Sequence, residues 1–64
     1  MPFIVVNGPP VRDLARKRAL VAGITEVVAR EYGQPPENIT VLIREDEAEN
    51  VAVAGNLLAD RKTE

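Results

Sequence analysis

Met1-Pro2-Phe3-Ile4-Val5-Val6-Asn7-Gly8-Pro9-Pro10 opens the chain, and the segment after the first proline decides how the rest is read. Phe3 to Asn7 has the composition of a β-strand, and Gly8-Pro9-Pro10 stops it, because glycine breaks a strand and two prolines cannot donate to a ladder. A strand here pins an amino terminus that in most chains frays.

Beyond the prolines, Asp13 is suited to cap a helix. Leu20, Val21, Ile24, Val27, Val28 and Tyr32 then recur at spacings of three and four, which predicts one helix from Leu14 to Tyr32. Gly33 suits the helix end, and Pro35-Pro36 prevents its resumption. Ile39 to Arg44 reads as a second strand. The acidic stretch Glu45-Asp46-Glu47-Ala48-Glu49-Asn50 follows as a solvated loop. Val51 to Ala54 is a short strand or hairpin arm before Gly55, and a mixed tail runs from Asn56 to Glu64.

Strand, long helix, strand is a βαβ unit of the α/β class, with parallel strands and a right-handed crossover. Ile4, Val5 and Val6 alternate between the two faces of such a sheet, as do Val41, Leu42 and Ile43. Strands apolar on both faces belong to sheets covered on both sides. The chain owns one helix, enough for one face, so a second subunit is expected on the other.

Composition points the same way. Residues 1–64 are read as one domain, and a domain of this size buries only about 60% of its unfolded surface. Such small domains usually need disulfides, a metal or oligomerisation. The chain has no Cys and no His, which excludes disulfides and the usual zinc ligands and leaves oligomerisation. Eight Lys and Arg against ten Asp and Glu give a net charge of −2, unlike the basic excess of a general nucleic-acid binder. No apolar run approaches the roughly 20 residues that span a bilayer, and no signal-peptide pattern is present. A soluble cytoplasmic protein, with neither nucleic acid nor membrane as partner, is expected.

Pro2 is the first candidate for chemistry. Methionine aminopeptidases remove an initiator Met that precedes a residue as small as proline. The exposed α-amine would titrate at about pH 7.7–8.0, where a general base is useful, and the ring fixes its lone pair. With no His or Cys and only Tyr32 as a phenol, no other group is so suited to proton transfer. Arg12 is the second candidate. It follows the loop beside the helix start, where dipole and free N–H groups attract anions, and its planar fork pairs with a carboxylate. Strand, loop and helix start could bring Arg12 near the amine, in the same or a neighbouring subunit. Arg16, Lys17 and Arg18 read as a solvated helix face, with Arg16 a lesser candidate for an anion site. The spacing of the acidic loop matches no EF-hand, so no metal is expected there, and Asn50 suits a turn.

Taken together, Pro2 before a short apolar strand, Arg12 ten residues on, one long helix, a second strand and the tail Glu49-Asn50-Val51-Ala52-Val53-Ala54-Gly55 resemble the 4-oxalocrotonate tautomerase family along nearly the whole chain. The resemblance implies small βαβ subunits assembled as a homohexamer, a trimer of dimers. It implies a tautomerase without metal or organic cofactor, whose amino-terminal proline moves a proton in a small enol or unsaturated keto acid. Pro2 matches the general base, and Arg12 matches the arginine that holds the far carboxylate. Two positions depart from the best-known members: Thr40 stands where they carry a second arginine, and Val51 where they carry an aromatic wall. Thr40 would supply a weak hydrogen bond and Val51 part of an apolar wall. The alternatives are a hydratase, dehalogenase or decarboxylase in which the same proline acts as an ammonium acid, and a non-catalytic oligomeric binding module.

Overall fold

The computed structural model describes residues 1–61. Strand β1 runs Phe3–Gly8, helix α1 Leu14–Tyr32, and strand β2 Thr40–Glu45. A short hairpin follows, β3 (Ala52–Val53) against β4 (Asn56–Leu57), and single 3-10 turns sit at Pro36–Asn38, Ala48–Asn50 and Leu58–Asp60. β1 and β2 pair in parallel with Phe3 beside Thr40, Val5 beside Leu42 and Gly8 beside Glu45. The predicted βαβ unit and hairpin arm are therefore present, with each long strand ending one residue later than expected and β2 starting one later. The three 3-10 turns lie outside the predicted strands and helix.

The helix ends where its cap residues dictate. Asp13 is extended, and its Oδ1 accepts from the Ala15 N–H at 3.0 Å, satisfying a donor that the first turn cannot pair internally. At the other end Gly33 takes a left-handed conformation, φ 65°. Its N–H donates to the Arg30 carbonyl, and the Gln34 N–H donates to the Ala29 carbonyl at 3.0 Å. This pair of backward bonds is the Schellman arrangement that glycine favours.

Pleat parity separates two unlike faces. Ile4, Val6, Val41 and Ile43 are half-buried beneath α1, opposite Leu20, Val21, Ile24 and Val28. Phe3, Val5 and Leu42 are on the opposite face, and they remain 60%, 38% and 38% exposed. Two members of the predicted helix stripe, Val27 and Tyr32, are also exposed. Tyr32 overhangs because a 19-residue helix is about 28 Å long and a six-residue strand about 20 Å. Val27 lies at the edge of the stripe, where it lines an open apolar groove with Ala19, Leu20, Gly23, Ile24 and Val28.

No residue among those described is fully buried. The radius of gyration is 15.1 Å, whereas a compact domain of this length would measure about 11 Å. The principal extents, 43 × 25 × 16 Å, describe a slab one helix and one sheet thick. Among the described residues no helix is long and apolar enough to cross a membrane.

Candidate active site

Pro2 is half-buried at the head of β1, and its carbonyl accepts from the Thr40 N–H at 3.1 Å. That bond continues the ladder by one step and holds the terminus against β2. Met1 beyond it is 88% exposed. Pro2 and Thr40 are therefore brought together, as their matched positions imply.

Arg12 and Val51 lie elsewhere. Both belong to the opposite end of the sheet, past Gly8 and Glu45, about 20 Å along the strand direction from Pro2. Here the chain closes on itself through four ties. The Asp46 N–H donates to the Gly8 carbonyl at 3.0 Å. The Val11 N–H donates to Glu45 Oε2 at 2.9 Å, and Lys17 Nζ donates to Glu45 Oε1 at 3.0 Å. Arg12 Nη2 donates to both oxygens of Glu47, each at 2.9 Å. The Val11 N–H first, and Lys17 second, hold the Glu45 carboxyl below its ordinary value of 4.5.

Two expectations are corrected here. The acidic stretch is not a merely solvated loop: Glu45 and Glu47 clamp the β1–α1 connection, and Ala48–Asn50 forms a 3-10 turn in which the Asn50 N–H donates to the Glu47 carbonyl at 2.8 Å. Lys17 is not solvated helix face, since it is half-buried on Glu45. Both ion pairs join residues about thirty positions apart, and only the parallel register brings them together. Asn50 keeps the turn role its residue type suggested.

Between these ties lies an apolar cleft of about 340 Å³, lined by Gly8, Pro9, Ala48, Val51 and Leu58 with Asn7 and Asp46 at its polar side. Val51 is part of its wall, and the Leu58 N–H donates to the Val51 carbonyl at 2.8 Å, fixing that wall. The cleft opens beyond the carboxyl ends of two parallel strands, the usual place for a ligand in α/β sheets. Arg44 stands beside Asn7 at this same end, four residues from Thr40. No group of His, Cys, Asp and Glu suited to hold a metal ion occurs among the described residues.

One chain thus separates the four candidate residues into two groups. The head of the sheet carries a proline and a threonine; the tail carries an arginine beside an apolar cleft. A small molecule touching all of them needs the head of one subunit against the tail of another.

Comparison with known proteins agrees with this architecture. The sequence pattern of the family described as Tautomerase enzyme matches residues 2–61. The 2-hydroxymuconate tautomerase of Bacillus subtilis is 38% identical over 60 residues, covering 94% of this chain and 97% of its own. The crystal structure of DmpI from Archaeoglobus fulgidus superposes with a TM-score of 0.83 at 46% identity, over 92% of this chain and all of that one. A crystallised 4-oxalocrotonate tautomerase homologue, TTHB242, gives 0.86 at 30% identity, over 98% of this chain and 100% of its own. A parallel βαβ unit with a hairpin arm, a proline heading its first strand, and these matches along almost the full length mean that the chain belongs to the 4-oxalocrotonate tautomerase family of tautomerase enzymes.

Proposed function

We propose that this protein is a cofactor-independent tautomerase that moves a proton between carbon and oxygen in a small enol or unsaturated keto acid. Pro2 is the general base once Met1 is removed. Its free secondary amine takes the enol proton and returns it to carbon. Arg12 from a neighbouring subunit holds the substrate carboxylate, Val51 walls the apolar part of the substrate, and Thr40 offers a hydrogen bond near the base. The 64 residues form one domain, and the site is completed by self-association, on family grounds as a homohexamer built as a trimer of dimers.

The observation that carries this reading is the Thr40 N–H bond to the Pro2 carbonyl. It keeps the ring at the head of a paired strand, so a base there has a defined position rather than the mobility of a frayed end.

The test combines intact mass with ketonisation of phenylenolpyruvate. Mature protein lacking Met1 should be active, and Pro2→Ala should lower kcat/KM by about 10²–10⁴-fold, the usual contribution of a placed general base. Alanine keeps an α-amine but loses the ring. Full activity in Pro2→Ala, or in protein whose mass includes Met1, would overturn the assignment. The pH–rate profile separates base from acid: activity that rises through the amine pKa marks the free amine, and activity that falls through it marks the ammonium form of a hydratase or decarboxylase.

A further inference from the structure

Glu47 is the only hydrogen-bond partner of the Arg12 side chain among the described residues. Its carboxylate straddles Nη2 with both oxygens at 2.9 Å. Chemically this is the group a substrate acid would bring to the same guanidinium. We propose that Glu47 is a specificity-determining residue, an internal carboxylate that pairs with Arg12 and must be displaced by an incoming one. The inference rests on the reading of Arg12 as the carboxylate-binding arginine.

Two neighbouring ion pairs make the contrast that supports it. Lys17–Glu45 is shielded, with side chains 32% and 24% exposed, and the Val11 N–H adds a second donor to the same carboxylate. That pair ties the β1–α1 connection to β2. Arg12–Glu47 is 73% and 49% exposed, and no backbone donor reinforces it among the described residues. An exposed pair of this kind contributes little and exchanges readily with water or another ion. The first pair is suited to hold the fold, and the second is suited to open.

The occupancy of Arg12 has a consequence for substrate class. A neutralised guanidinium attracts an approaching anion less than a bare one, so every acid binds more weakly than Arg12 alone would allow. Displaced Glu47 stays close by its tether, and Asp46 lines the cleft beside it. A second negative charge on the ligand would meet these carboxylates. The arrangement therefore favours a monocarboxylate with an apolar tail, which Val51 and Leu58 can cover.

The test is Glu47→Gln in the assembled, Met1-processed protein, with cinnamate as a non-reacting monocarboxylate probe and calorimetric titration as readout. Cinnamate should bind about two- to fivefold more tightly to Glu47→Gln than to wild type, the range expected when an exposed ion-pair partner is removed. The gain should vanish when Arg12→Ala is added, because nothing is then left to release. In turnover of phenylenolpyruvate the same gain should fall in KM rather than kcat. Unchanged or weaker cinnamate binding in Glu47→Gln, or a gain that survives Arg12→Ala, overturns the proposal. If cinnamate shows the Arg12-dependent gain but no variant ketonises an enol acid, the tautomerase reading fails and the role of Glu47 stands.

Discussion

Thr40 begins β2 beside Phe3, and its backbone holds Pro2 by one hydrogen bond. Its hydroxyl carries no charge, so Thr40 itself offers a second substrate carboxylate no cationic partner. Such a group would lose hydration on entry without compensation. Wild type should therefore process phenylenolpyruvate at least as well as 2-hydroxymuconate, judged by kcat/KM. Thr40→Arg should shift the preference toward the dicarboxylate by about 1.5–3 kcal/mol, the worth of a charge-assisted hydrogen bond. Arg12→Ala should raise KM for both, since it removes binding common to ground and transition states. A strong wild-type preference for 2-hydroxymuconate would mean that another cation, Arg44 or Arg16 from a neighbouring subunit, fills the missing role; Arg44 lies beside Asn7 at the far end of the sheet from Pro2. Pro2 and Arg12 were legible as candidates from residue type and position, and Thr40 and Val51 only through the family resemblance. Their division between two ends of one sheet was not, because ten residues of sequence separation say nothing about which way a loop turns.

At the scale of elements, the helix was readable to the residue because its limits are set by local chemistry: an Asp that caps and a Gly that turns left-handed. The hairpin was less readable. Ala54 and Gly55 both have positive φ, 55° and 83°, the signature of a type I′ turn, and an alanine does not advertise that geometry. Left-handed backbone costs a non-glycine residue about 1–2 kcal/mol. Ala54→Gly should recover part of this, raising the denaturation midpoint at fixed protein concentration. An unchanged midpoint would place the strain in a segment that does not unfold with the rest. The clamp at Glu45 has its own signature in pH. Its folded pKa lies below the ordinary 4.5, so its contribution to stability is fully present above that value and is lost as pH falls through the lowered one. Glu45→Gln should flatten the acid limb of the stability curve below about pH 4.5 and leave the neutral limb free of any new slope.

The molecule as a whole is a slab with an apolar sheet face open to water. Phe3, Val5 and Leu42 occupy that face, and no described residue is fully buried, so we propose that the chain folds only in an assembly. Sedimentation at micromolar concentration should show an oligomer and no folded monomer. Leu42→Asp, which places a charge on the open face, should yield monomers that have lost helical circular dichroism. A compact, helical Leu42→Asp monomer would contradict the burial argument. This expectation comes from the sequence itself, since strands apolar on both faces demand two covers and the chain supplies one helix.

The separation of Pro2 from Arg12 along one sheet has a genetic consequence. If each site takes its proline from one chain and its arginine from another, Pro2→Ala and Arg12→Ala damage different halves of the same site. Mixed assemblies then contain a minority of sites built from two undamaged halves. Two alleles that are each inactive should restore measurable turnover when co-expressed, and neither should do so with itself.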